Sequence, residues 1–574
     1  MNKKLMSLVL ASLMVLGACS TGTDGTNSTK TDGGETNVTT TAESGDSTPD
    51  EGDMVKDDKQ FFNGFIASEP SSLDPAKASD NYAISVLINI SDPLVIIRDG
   101  EEGEMVFEGG AAEKWDISED GKVYTFHLRD NKWTDGQAVT ANDFEYSIKR
   151  AINPDTGSPY AYLLDPIMNA TKANAGEVAV DEVGVKALDE KTLEITLENA
   201  TPHFLGVVAN SIMFPVRQDA VEAHGEKYGS EADTVVSNGA HKITEWVHNS
   251  EIKLVKHDEY WDAANVNYTE VNMPIVADSN TMMNKMLTNE IDSVSTNIAE
   301  WQERFKADEN IKYKRVEQPS TFFMSFNTKD ELFKNVKVRR AFGAALDRED
   351  ANEVIWNGNN VAASGWIPGN IFVGEKPFRE NSVNMIEKLH TDVPDPKALL
   401  VEGLKELGMD ENPENLTVSI SLGNTDQWFK TYGEYLQQVM KENLGVNLEV
   451  EQMEWTVFQD RTQKGDYQMG YMAWGSELSE PLALLAIHTS KADQVGTGWS
   501  NAEFDELIEK AQIEQDEDKR LEMYIQAEEI LMAELPVSPV VHQVTNSFTY
   551  KYVQGQDFNP FNNIGFRKGF TSGR

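Results

Sequence analysis

The chain has 574 residues, with 95 acidic side chains against 50 Lys and Arg, and one cysteine. A net charge of −45 excludes a nucleic-acid partner and a basic patch that clings to anionic lipid. With one cysteine no internal disulfide forms, so stability rests on burial of aliphatic side chains, 24 Phe and 11 Trp.

Lys3 and Lys4 precede an apolar run from Leu5 to Leu16, followed by Gly17, Ala18 and Cys19. The run has signal-peptide length and is too short to span a bilayer. Residues 1–18 therefore read as an export signal cleaved before Cys19. The LGAC stretch resembles the bacterial lipobox, in which the cysteine thiol receives diacylglycerol and the new terminus an acyl chain such as palmitate. The alternative is an ordinary signal peptide cut nearby, with Cys19 incidental. Residues 20–57 are mostly Thr, Ser, Gly, Asp, Glu and Asn. Such a composition does not bury enough surface to offset its ordering entropy, so 19–57 is expected to be a disordered tether. No second apolar stretch reaches membrane-spanning length. Attachment to the extracytoplasmic face of the membrane would then rest on lipid at Cys19 alone.

Roughly 515 residues follow, enough for two or three core-bearing lobes. VYTFHL (123–128) and TLEITL (192–197) alternate as half-buried strands do. Val338, Ala341, Phe342, Ala345 and Leu346 fall on one helical face. NLTVSISL (415–422) and NLEVEQM (447–453) again read as strands. Asn501 is placed to cap a helix whose face is Phe504, Leu507, Ile508 and Ala511. A further helix carries Leu521, Tyr524, Ile525 and Leu531 and stops at Pro536. The fold class is α/β, richer in strands early in the chain and without a solenoid repeat.

The motifs of common hydrolases and nucleotide-binding loops are missing: no H-E-x-x-H, G-x-S-x-G or Walker loop. No cofactor is expected. His241, His248 and His257 lie in strand-like sequence and read as surface histidines rather than metal ligands. DISEDGKVYTFH (116–127) begins like a calcium loop, but His127 stands where such a loop needs a bidentate Glu. It reads as a hairpin turning at Asp120-Gly121.

Residues 111–161, beginning AAEKWDISEDGKVYTFHLRDNKWTDGQAVTANDFEYSIKRAINPDTGSPYA, resemble the extracellular solute-binding proteins of peptide ABC transporters. The AND and SPY portions are similar to the oligopeptide-binding branch. SLDPAK (72–77), SNGAHKITEWVHNSEIKLVKHDEYWD (237–262), FNTKDELFKNVKVRRAFGAALDRE (326–349) and YMAWGSELSEPLALL (471–485) extend the resemblance in order over nearly all of 58–574. It implies a type II periplasmic-binding-protein-like clamp of three lobes. One lobe would comprise 58–91, 214–319 and 544–574, an inserted lobe 92–213, and a third 320–543. Ligand would lie between the first and third lobes, and closure about the chain crossovers would bury it.

A binder of many peptides must grip what all peptides share. An anionic side chain meets the α-ammonium, and an exposed strand edge takes the backbone. Ligand side chains would then enter roomy, wet pockets that discriminate little. In the family an aspartate three residues after a tryptophan meets the amine. The resemblance places Trp474 and Glu477 there, the glutamate reaching further by one methylene, roughly 1.5 Å. Trp455 and Arg461, in MEWTVFQDR, match a pocket tryptophan and arginine, and Phe429 matches a pocket position. Ser79 and Asn81 lie where members contact ligand backbone. Tyr471 stands where some members carry a basic residue for the ligand carboxylate. By residue type alone, Trp455 and Trp474 read as core and Arg461 as a surface ion pair.

The implied protein is a monomeric, non-enzymatic surface lipoprotein that passes oligopeptides to the permease subunits of an ABC transporter. The alternatives are a same-fold receptor for another solute or a signalling peptide, and a surface peptidase or glycosidase.

Overall fold

The structure, a computed structural model, describes residues 54–99, 105–476, 478, 480–558 and 564–574. The predicted signal peptide, Cys19 and most of the tether lie outside the described residues, as does Glu477.

The early strands form an antiparallel four-stranded sheet in the order Ala112–Ile117, Val123–Leu128, Thr192–Thr196, Val185–Asp189. The alternation in VYTFHL buries Tyr124, Phe126 and Leu128. The expected hairpin is present. Gly121 takes φ 68°, its N–H donates to the Ser118 carbonyl (2.9 Å), and Ser118 N–H donates to Val123 (2.9 Å). Helix Ala141–Ile152 packs Phe144, Ile148 and Ala151 into the same core as Trp133 and Phe126.

A second four-stranded sheet runs Phe61–Asn63, Glu270–Pro274, Glu251–Lys256, His241–Val247, with only the first pair parallel. Its core joins Phe62 and Leu87 to Trp246 and Tyr268, and to Val553 and Phe566 from near the C-terminus. The expectation of surface histidines fails here for two of three. His241 falls on an inward strand position, fully buried, with Nε2 3.2 Å from the Tyr268 carbonyl oxygen. His257 is buried too, with Nδ1 3.1 Å from the Gly239 carbonyl oxygen. Each side chain has a backbone carbonyl to bond, which makes its burial tolerable. Only His248 is exposed, between Glu69 (2.6 Å) and Glu231 (3.2 Å).

The largest sheet has seven strands. Six follow the order Ser293–Ser295, Val537–Tyr550, Ile311–Phe326, Met469–Gly475, Thr417–Leu422, Asn447–Gln452, and Val361–Ala362 adds to Val537–Tyr550. Two strands are long, Ile311–Phe326 with 16 residues and Val537–Tyr550 with 14. They pair antiparallel, but the register slips between Glu317 and Thr321. Gln318, Pro319 and Ser320 are thus left over, a bulge at which proline costs no ladder bond. The strands predicted at 415–422 and 447–453 form as Thr417–Leu422 and Asn447–Gln452 and pair in parallel, and helix Gln427–Asn443 lies between them in sequence. Val338, Ala341, Phe342, Ala345 and Leu346 are all buried, as their spacing predicts. Asn501 caps its helix by accepting from Glu503 N (3.0 Å) and Phe504 N (3.1 Å). Helix Glu517–Glu534 ends just short of Pro536, at Leu535 with φ 50°.

One ion pair ties the first two cores together. Asp74, in SLDPAK, is fully buried and takes both Nη atoms of Arg150 on helix Ala141–Ile152, at 2.8 and 2.6 Å. Gly229 crosses so close that a Cβ there would lie 2.4 Å from Asp74 N.

Candidate functional site

The site is organised by one strand pair. Ile311–Phe326 and Met469–Gly475 oppose Ser320 to Gly475, Phe322 to Ala473 and Met324 to Tyr471. On its other side Met469–Gly475 meets Thr417–Leu422 only over Met469 to Tyr471. Met472 to Gly475 therefore has an open edge among the described residues. Ser476 N–H donates to the Pro319 carbonyl (2.6 Å), which sets the alternation of the antiparallel ladder. The backbone groups of Trp474 and Met472 then point to Ile311–Phe326, and those of Ala473 and Gly475 point to the open side.

Two cavities follow this pair. The larger, about 700 Å³, meets the bulge at Gln318, Pro319 and Ser320, together with Gly475, Ser476, Gln543 and Thr545. Its facing wall comes from the first two cores and includes Asn81, Tyr82, Ser211, Asp92 and Tyr260. Asp92 is almost wholly buried, and burial raises its carboxyl to about 6 against the opposing effect of Arg567 and donors Trp261 Nε1 (2.9 Å) and Tyr260 OH (3.0 Å). The smaller pocket, about 230 Å³, begins two residues further along the same sheet face. Phe322, Gly423, Phe429, Trp455, Tyr471, Met472 and Ala473 line it.

The smaller pocket brings together three predicted residues from separate segments. Tyr471 is 1% exposed, and its ring lies 4.2 Å from Tyr432 and 6.1 Å from Phe322. Burial pushes its hydroxyl well above the ordinary tyrosine range. Phe429 N–H is held by the helix-capping carboxylate of Asp426 at 3.0 Å. Trp455 begins helix Trp455–Gln463, is 46% exposed and stacks on Phe458 at 5.4 Å. Any side chain at 423 would crowd it, since a Cβ there would sit 2.7 Å from the Trp455 ring.

The other predicted residues divide. Asn81 opens helix Asn81–Ile90, which Asp80 caps through Ala83 N (2.8 Å), and lines the larger cavity. Ser79 lines neither cavity; its carbonyl accepts from Tyr160 OH at 3.5 Å. Trp474 is half-buried against the core that holds Phe323, and lines neither cavity. Arg461 lines neither. It is ion-paired to Glu451 (2.7 Å) and donates to the Asp466 carbonyl (3.0 Å), the surface pairing that its residue type suggests.

Residues on both sides of position 477 are ordered against different cores. Gly475 and Ser476 line the larger cavity, whereas Leu478 is buried in the core of Phe126, Phe144 and Phe204. The strand leading to it belongs to the core of Phe323 and Tyr432. Sequence reasoning missed Gln318, Ser320 and Phe322. The available signal was Pro319, a proline inside an otherwise strand-like run.

Among the described residues no group of His, Cys, Asp or Glu is placed to hold a metal ion, and no helix is long and apolar enough to cross a membrane. What the geometry of the described residues offers is an unpaired backbone edge beside a cavity of mixed polar and apolar lining and an aromatic pocket. These elements suit an extended chain bearing amide groups and side chains.

Comparison with known proteins agrees with this arrangement. The family model described as "Bacterial extracellular solute-binding proteins, family 5 Middle" matches residues 106–495. The chain is 32% identical to the oligopeptide-binding protein OppA of Bacillus subtilis, over 93% of this chain and 93% of that protein. It is 35% identical to the dipeptide-binding protein DppE of the same organism, over 82% and 85%. The substrate-binding domain of an oligopeptide ABC transporter from Bacillus anthracis superposes with a TM-score of 0.73 at 30% identity, covering 90% of this chain and 99% of that one. With a family match across most of the folded region and relatives aligned along nearly their whole length, this chain belongs to the family 5 bacterial extracellular solute-binding proteins.

Proposed function

We propose that this protein is a surface lipoprotein that captures oligopeptides between two lobes and delivers them to an ABC transporter permease. The observation that carries the reading is the open edge of Met472 to Gly475, flanked by the larger cavity and the aromatic pocket. The names of the relatives, oligopeptide- and dipeptide-binding proteins, support the same ligand class.

In this reading a peptide adds as a strand, exchanging hydrogen bonds with the backbones of Ala473 and Gly475. Glu477 receives its α-ammonium, and Asn81 approaches from the opposite wall. The lobes are 58–91 with 214–319 and 544–574, then 92–213, then 320–543. The bulge at Gln318 to Ser320 and the strand opposite it would serve as the hinge. Cys19 carries the lipid, and the acidic body is held at the extracytoplasmic face.

Mass spectrometry of the purified protein tests the binding claim. After incubation with a peptide mixture, intact peptides should be recovered bound; cleaved products would make the protein a peptidase, and recovery of no peptide would refute the proposal. Cys19→Ser should move the protein out of the membrane fraction. Retention there would show that lipid on this residue is not the anchor.

A further inference from the structure

We infer that the carboxamide of Gln318 recognises the bound peptide through its main chain, donating an Nε2 hydrogen to a carbonyl or carboxylate oxygen of the ligand. The inference rests on the peptide-binding reading above and names a group that reads what all peptides share.

Three observations carry it. First, Gln318 is 8% exposed and lines the larger cavity, yet its Nε2 is buried without a hydrogen-bond partner among the described residues. A buried donor left unsatisfied keeps its full desolvation cost, so it calls for an acceptor that the chain itself does not supply. Second, the chain on both sides of it is tied down. Glu317 Oε1 accepts from Gly369 N–H at 2.7 Å, and the Glu317 carbonyl accepts from Asn370 Nδ2 at 2.8 Å. The Pro319 carbonyl accepts from Ser476 N–H at 2.6 Å. The backbone that carries Gln318 is therefore fixed before a ligand arrives, and only its side-chain torsions remain to adjust. Third, the wall around it is polar without charge. The register slip sets Gln543 opposite the bulge, and Ser320, Gln543 and Thr545 line the cavity with Gln318. The charged residues that line it, Asp92, Arg98 and Arg567, come from other segments.

A carboxamide carries donors and an acceptor in one plane, as a peptide group does. It makes no demand on the side chains of the ligand, which suits a receptor of many sequences. A charged side chain buried at the same place would instead require a counter-charge from every ligand.

Calorimetry with tri-alanine, tri-lysine and Ala-Phe-Ala tests the inference on the wild type, Gln318→Leu and Gln318→Glu. Gln318→Leu should weaken all three peptides by about tenfold whatever their side chains, the worth of one hydrogen bond in a desolvated site. Its ligand-free melting temperature should hold or rise, because an unsatisfied donor has been removed. Gln318→Glu keeps the shape and loses the donor, and should weaken binding at least as much. Two further ligand series locate the acceptor. Sulfur replaces each carbonyl oxygen of tri-alanine in turn, and an amide replaces its terminal carboxylate. One of these changes should weaken binding to the wild type and cost nothing further in Gln318→Leu. A sulfur position that behaves so places the acceptor in the main chain, and amidation that behaves so places it at the terminus. Unchanged affinity in Gln318→Leu would overturn the inference while leaving peptide binding intact. So would a loss of affinity that adds to every ligand change, or one that falls on a single peptide only. Failure of every peptide to bind the wild type would remove the functional reading as well.

Discussion

Leu478→Ala separates a clamp from a rigid body. Leu478 is 8% exposed and sits in the core of Phe126 and Phe204, although the strand before it belongs to another core. It is close enough to Gly206 that a Cβ there would lie 3.4 Å from Leu478 Cδ2. Truncating a buried leucine costs about 2–5 kcal/mol, and the low end applies to a surface-proximal site able to relax. If the contact forms only when the lobes close, a loss of about 2–3 kcal/mol falls on the closed state. Peptide affinity would then drop roughly 30- to 150-fold, at 1.4 kcal/mol per factor of ten. The ligand-free protein should melt almost unchanged, because its open form never had the contact. Calorimetry with a fixed peptide reads the first quantity and thermal unfolding without peptide the second. Small-angle scattering adds a control, since the variant should need more peptide to reach the compact form. The reasoning fails if the ligand-free melting temperature falls by several degrees while affinity holds. That outcome would make Leu478 a permanent part of the fold.

Two further outcomes are expected. Glu477→Gln should weaken peptide binding about 30- to 1000-fold, the cost of about 2–4 kcal/mol for a poorly compensated ammonium, and N-acetylating the peptide should cost as much. Combining the two changes should add little; additive losses would show that amine and carboxylate do not meet. Burial lowers His241 to about 4 and His488 and His542 to about 3, so each is neutral in the folded state but protonates near 6.5 when unfolded. Their contribution is complete above about pH 6.5 and is lost as pH falls toward 3–4, at roughly 2 kcal/mol per histidine by pH 5. Asp92, raised to about 6 by burial, acts in the opposite sense. Denaturant titrations at pH 7 and pH 5 should therefore differ less in His488→Leu by about 2 kcal/mol. An undiminished difference would mean that His488 is not held neutral.

Local pattern located the strands and helices named from sequence, because their signals are local. The alternation of Tyr124, Phe126 and Leu128, and the cap at Asn501, needed no partner to be recognised. His241 shows where residue type misleads. Its strand position points inward, and the carbonyl of Tyr268 that receives it is 27 residues away. The site was legible only in part. The resemblance supplied Phe429, Trp455 and Tyr471 singly; that they share one pocket follows from packing between distant segments. The pairing of Ser320 with Gly475 spans more than 150 residues, and nothing in either segment announces it. Arg461 had a plausible role by alignment, but nearby Glu451 and Asp466 compete for its guanidinium.

The buried bond between Asp74 and Arg150 bears on how much order each capture must impose. Three freely jointed parts would surrender the relative tumbling of two joints whenever a ligand drew them together. In the proposed clamp, a charge pair with the carboxylate 1% and the guanidinium 12% exposed would restrain one of those joints before any ligand arrives. That ordering would occur once, during folding, and would not be repeated with each load and release. In that proposal a single rotation would remain for a ligand to freeze. Weak, general contacts to backbone amides can then suffice, and release is not opposed by a second set of contacts that must also come apart.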